Sequence, residues 1–105
     1  MSLRHWFDTR EVDAFAASIA EQLLKHVPPA TLPLHTKKEA ERLLKVHAAI
    51  FAQAAAFSRE KRLNFYKKAR LGNQFRWALK DAGYPPQFVE VWTYGLVAAL
   101  PPKGR

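Results

Sequence analysis

The chain has 105 residues, with 17 Lys and Arg against 9 Asp and Glu, a formal charge of +8 and 49% apolar residues. That length suits one helical domain over 1–105 rather than two ordinary cores, and the apolar share excludes wholesale disorder. The absence of Cys excludes disulfide frameworks, thiolate metal sites and Cys nucleophiles.

At the N-terminus, charges at Arg4, Asp8, Arg10, Glu11 and Asp13 interrupt any signal-peptide apolar core. The longest uncharged stretches, Val46 to Ser58 and Val91 to Pro102, fall short of the roughly 20 residues a membrane helix needs. The expectation is a cytoplasmic protein with no integral membrane association.

The first segment, about Asp8 to Val27, carries Val12, Phe15, Ala16, Ile19, Ala20, Leu23 and Val27 at helical spacing. Asp8 is the expected cap, with Glu11 completing a box-like pattern. Pro28-Pro29 stop this helix, and 28–35 reads as a proline-rich connection.

A second segment opens at Thr36 with Glu39 three positions on, a capping box. From Val46 to Phe57 it is apolar nearly all round, which predicts burial on most sides or packing against another subunit. No Pro or Gly separates Thr36 from Leu71. One unbroken helix there would be about 54 Å long, so a break is expected near Phe57-Ser58-Arg59, with Ser58 capping the next helix.

The third segment runs from about Arg59 to Ala82 and ends at Gly83, where a left-handed cap suits glycine. Pro86 then starts a fourth helix that extends to about Leu100, with Glu90 and Thr93 its clearly polar residues. Such a segment should be the most buried of the four. Pro101-Pro102 end it, and 101–105 reads as a mobile tail. The pattern is all-α: a small bundle of four helices, or five if the third segment kinks at Gly72.

Charge concentrates in the third segment. Residues 58–83 hold eight Lys and Arg against two acidic groups, +6 of the total +8. On a helical wheel Arg59, Arg62, Tyr66, Arg70, Asn73, Trp77 and Lys80 fall within about 80° of arc, opposite Leu71, Phe75 and Leu79. Cations interleaved with aromatic rings suit nucleic acid: the cations neutralise phosphates, Tyr and Trp stack on unpaired bases, and Asn73 can meet a base edge or phosphate. The bland alternatives are a solvated basic face, or a Tyr66 and Trp77 turned inward.

Other chemistry is thin. His5, His26, His35 and His47 are not paired at helical spacing, so no zinc clip forms on one helix. His47 sits on the apolar stripe of the second segment and reads as a core histidine, and His26 borders the stripe of the first. Gly72, Gly83, Gly95 and Gly104 are too dispersed for a phosphate loop. The acidic residues cluster in first turns, where the helix dipole favours them. No enzyme, metal or cofactor is indicated. The leading expectation is a nucleic-acid-binding module using the third helix. The alternative is a protein-interaction or homodimer module using 36–57 and 86–100, with Phe88, Trp92, Gly95 and Leu96 as its contact face and the basic side meeting an acidic partner. Attachment to anionic lipid is a third reading.

Overall fold

Local capping chemistry divides the chain. The computed structural model describes residues 7–101 and contains α1 (Arg10–His26), a 3-10 turn (Pro29–Thr31), α2 (Lys37–Lys61), α3 (Phe65–Ala82) and α4 (Pro86–Ala98), with no strand among the described residues. The fold is the expected all-α bundle of four helices. Most of the expected tail, 102–105, lies outside the described residues.

The ends of the helices show which local signals operate. At α2 the box is complete: Glu39 N–H donates to Thr36 Oγ1 (3.1 Å), and Glu39 Oε1 accepts from Thr36 N–H (3.0 Å). Backbone N–H groups of His35 and Thr36 accordingly hold the Glu39 carboxyl below its usual range. At α3 the end is a Schellman motif. Gly83 takes φ +95°, its N–H donates to Lys80 O, and Tyr84 N–H donates to Leu79 O at 3.2 Å. Pro86 opens α4.

The expected box on α1 does not form. Thr9 occupies the cap position but caps no backbone N–H, its hydroxyl donating instead to the Asp13 carboxylate at 3.3 Å, while Asp8 accepts from the backbone and guanidinium of Arg10. Glu11 instead reaches across to Lys61, 2.8 Å away. Asp8 thus shares itself between the Arg10 backbone and guanidinium, and an ammonium takes the Glu11 carboxylate in place of a cap N–H.

The break between the second and third segments lies several residues beyond its expected position. Ser58 is buried inside α2, four residues after Ala54, and caps nothing. The turn comes at Arg62, with φ +50°, where Leu63 N–H donates to Ser58 O (3.2 Å). Leu63 drops into the core, and Asn64 caps α3 by accepting from Lys67 N–H at 2.8 Å.

α3 is the central helix and packs on both α1 and α4, while α2 lies against α1. The core joins Ile19 and Leu23, Ile50 and Ala54, Leu71, Phe75 and Leu79, and Val89 and Leu96 from the four helices in turn. The helix continues unbroken through Gly72, so the five-helix variant does not occur. The molecule measures 51 × 26 × 19 Å, elongated in keeping with the 25 residues of α2.

Two burial expectations are corrected. α2 buries only the narrow i,i+4 stripe Val46, Ile50, Ala54 and Ser58, and its remaining alanines largely face outward. α4 is not the most buried helix, because Val91 and Tyr94 stand 63% and 79% exposed.

Candidate functional site

The outer face of α3 is built by the helical repeat alone. With Leu71, Phe75 and Leu79 fully buried, residues half a turn away must face solvent. Tyr66, Asn73, Trp77 and Lys80 do so. Trp77 is 54% exposed, and the Lys80 ammonium sits 5.2 Å from the centre of its ring, a cation–π contact. The Tyr66 ring meets Phe7 edge-on at 5.2 Å.

Three residues expected on this ridge behave differently. Arg59 and Arg62 are exposed, but they belong to the end of α2 and the corner after it, since the chain leaves the α3 axis at Arg62. Arg70 lies on the face, yet its guanidinium is committed to Asp13 of α1 by two hydrogen bonds, 2.9 and 3.1 Å.

The acidic residues of α1 and α4 thus temper the basic segment. Lys61 pairs with Glu11, Arg70 with Asp13 and Arg76 with Glu90. A side-chain hydrogen bond from Lys61 holds the Glu11 carboxyl below its usual range. Arg10, hydrogen-bonded through its guanidinium, holds Asp8 well below that range. Lys68 donates to the Pro101 carbonyl at 2.6 Å. Among the described residues Arg59, Arg62, Lys67 and Lys80 have no carboxylate at ion-pair distance.

Beside the ridge, a groove of about 680 Å³ runs between α3 and α4. Tyr66, Asn73 and Arg76 line it from α3, and Glu90, Thr93 and Tyr94 from α4. Gly72 lets the helices close beneath it: a Cβ there would lie 2.5 Å from Val97 Cγ2. Thr93 Oγ1 and Arg76 Nε are buried in this region without a hydrogen-bond partner among the described residues. Sequence reasoning missed the groove. Its one legible trace is that Glu90, Thr93 and Val97 share a face of α4, so the polar pair on an otherwise apolar helix marks the side toward α3.

The residues expected as a contact face on α4 pack inward. Leu96 is fully buried, and Trp92 lies beneath α2, edge-on to Phe51 (5.9 Å) and His47 (5.1 Å). Phe88 is half-buried and stacks between Tyr84 and Trp92, and Gly95 abuts the Phe51 ring. His47 is not a core residue. It is exposed, stacked on Phe51 at 3.9 Å, and His26 is exposed as well.

Among the described residues no three His, Cys, Asp or Glu side chains gather as a metal site, and no helix is long and apolar enough to cross a membrane. No protein-family model matches the chain, and no significant similarity links it to a curated protein or a solved structure.

Proposed function

We propose that the outer side of α3 binds single-stranded nucleic acid, with the protein acting as a non-enzymatic binding module. The observation that carries this reading is the exposure of Trp77 and Tyr66 on one helix face with Asn73 and Lys80. Exposed indole and phenol rings can stack on a partner's π-face, and unpaired bases supply one. Duplex bases are already stacked and closed to such rings, which favours a single strand. Lys80 flanks the ridge, Arg62 and Arg59 extend the positive field past its N-terminal end, and Lys67 widens it to one side in the first turn of α3.

Four free cations set the expected salt response. With four phosphates neutralised, single-strand affinity falls about 50-fold between about 50 and about 200 mM salt. Titration of a fluorescent 12-mer at those two concentrations tests this. Trp77→Ala should weaken binding about 5- to 150-fold, the worth of one stacked base. Binding indifferent to salt, or unchanged in both Trp77→Ala and Lys80→Ala, defeats the reading.

A protein-contact reading is favoured by a separate observation, the 63% exposure of Val91 on α4. It moves the contact face away from Phe88, Trp92, Gly95 and Leu96. Sedimentation equilibrium tests the homodimer form: a mass that stays monomeric with rising concentration argues against it.

A further inference from the structure

We infer that the groove between α3 and α4 seats one unstacked nucleobase of the bound strand, so that binding depends on a base there and not on phosphate alone. The inference rests on the single-strand reading of the α3 face and names the part of the strand this neighbouring groove would take.

Its size comes first. At about 680 Å³ the groove falls within the roughly 300–1,000 Å³ of small-molecule sites. Its lining suits a base: tyrosine rings from both helices, Tyr66 and Tyr94, together with the amide of Asn73 and the guanidinium of Arg76. Tyr94 is 79% exposed and contributes nothing to the core, so its ring is available to a ligand. Aromatic rings carry the stacking of a splayed-out base, and side-chain donors and acceptors meet its edge.

The orphaned polar atoms point the same way. Buried polar atoms are nearly always partnered, and leaving one unpaired is unfavourable. Two such atoms occur here, Thr93 Oγ1 and Arg76 Nε, and both residues line the groove. Nε–H donates only, whereas a hydroxyl both donates and accepts. A base edge presents both donors and acceptors, so each of these atoms has a chemical counterpart there. The bridge from Arg76 to Glu90, 2.8 Å long between half-exposed side chains, is a surface pair that water screens and that contributes little. Arg76 can therefore turn toward an occupant at small cost.

The test uses two 12-mers: one wholly abasic, the other abasic except for one central base. The abasic strand keeps the phosphates and reports the electrostatic part alone. The single base should raise affinity about 5- to 150-fold, the worth of one stacked base. Tyr94→Ala should remove most of that gain, and Thr93→Val should reduce it. Thr93→Val leaves the free protein as stable as before or more so, since it removes a hydroxyl that has no partner there. Trp77→Ala should lower the affinity of an ordinary 12-mer while preserving the single-base gain.

If the single base adds nothing, or its gain survives in Tyr94→Ala and Thr93→Val, the groove is not a base site. Loss of the gain in Trp77→Ala alone overturns the groove and leaves the ridge as the stacking surface. If neither strand nor an ordinary 12-mer binds, the ridge and the groove fall together.

Discussion

The guanidinium of Arg70 holds the carboxylate of Asp13 through two hydrogen bonds, 2.9 Å from Nε and 3.1 Å from the terminal nitrogen, and so ties α3 to α1. The same contact cancels one positive charge on the face that is proposed to meet phosphates. Structure and binding therefore pull in opposite directions at Asp13. Both side chains are more than a third exposed, so water screens the pair, and Asp13→Ala should cost no more than about 1 kcal/mol of stability. It should also free Arg70 for the polyanion. The expected result is slightly lower resistance to urea together with tighter single-strand binding and a salt slope steeper by about 0.7. Unchanged or weaker binding in Asp13→Ala would remove Arg70 from the face.

Arg62 carries a left-handed backbone at φ +50° with no glycine to ease it. A side chain in that region costs about 1–2 kcal/mol. Replacing it by glycine returns that strain but adds conformational freedom to the unfolded chain, worth about 0.4–1 kcal/mol. The strain is the larger quantity, so Arg62→Gly should stabilise the protein by about 0.5–1 kcal/mol in urea unfolding. In the single-strand titration it should also reduce the salt slope by about 0.7, the share of one phosphate contact. Destabilisation would mean that the Arg62 side chain makes a contact worth more than the backbone strain.

These positions show how far local chemistry reaches. The Thr36–Glu39 box, the Gly83 ending and the Pro86 start were legible because each depends on residues within a few positions of one another. The outward face of Trp77 was legible for a related reason: once Leu71, Phe75 and Leu79 are the core stripe, the helical repeat fixes what lies opposite. The corner at Arg62 was not, because a non-glycine residue in the left-handed region leaves no compositional mark. Ser58 looked like a cap because serine is a good one, but its spacing from Ala54 put it in the buried stripe. The inward turn of Trp92 depends on Phe51 and His47 arriving from α2, and the groove depends on the register of α3 against α4. Neither is a local property. The pairing of Asp13 with Arg70 spans 57 residues, which is why the basic segment looked more strongly charged in sequence than it is in the fold.

Two glycines on facing helices should respond oppositely to alanine. A Cβ on Gly72 would lie 2.5 Å from Val97 Cγ2, nearer than packed carbons can approach. Valine in a helix strongly prefers one rotamer, so relief requires α3 and α4 to separate, an overpacking cost of about 1–3 kcal/mol. That exceeds or cancels the roughly 1 kcal/mol alanine gains in helix propensity. At Gly95 the nearest atom is Phe51 Cζ at 3.3 Å, on a half-buried ring that can shift by a few tenths of an ångström. Gly72→Ala should therefore lower the urea midpoint, and Gly95→Ala should leave it unchanged or raise it. Equal shifts for the two would show that the α3–α4 approach is looser than described.

Tyr84 links the Schellman ending of α3 to the end of α1. Its hydroxyl donates to the Val27 carbonyl at 2.6 Å, and both residues are buried. Tyr84→Phe leaves that carbonyl without a partner and should cost about 1–3 kcal/mol at neutral pH. Burial also pushes the phenol up to about 12 from its ordinary 10. A group whose folded value is raised contributes its full stability below the unfolded value, and loses it as pH climbs through the folded one. Stability in urea should thus hold near pH 9 and fall between about pH 10 and 12, where unfolding releases the phenolic proton. Lysines also lose charge in that range, so the difference between the two proteins is the quantity to follow. It should shrink as pH rises, because phenylalanine has no proton to lose. A difference that is constant from about pH 8 to pH 12 would mean that the Tyr84 hydroxyl titrates alike in the folded and unfolded chains.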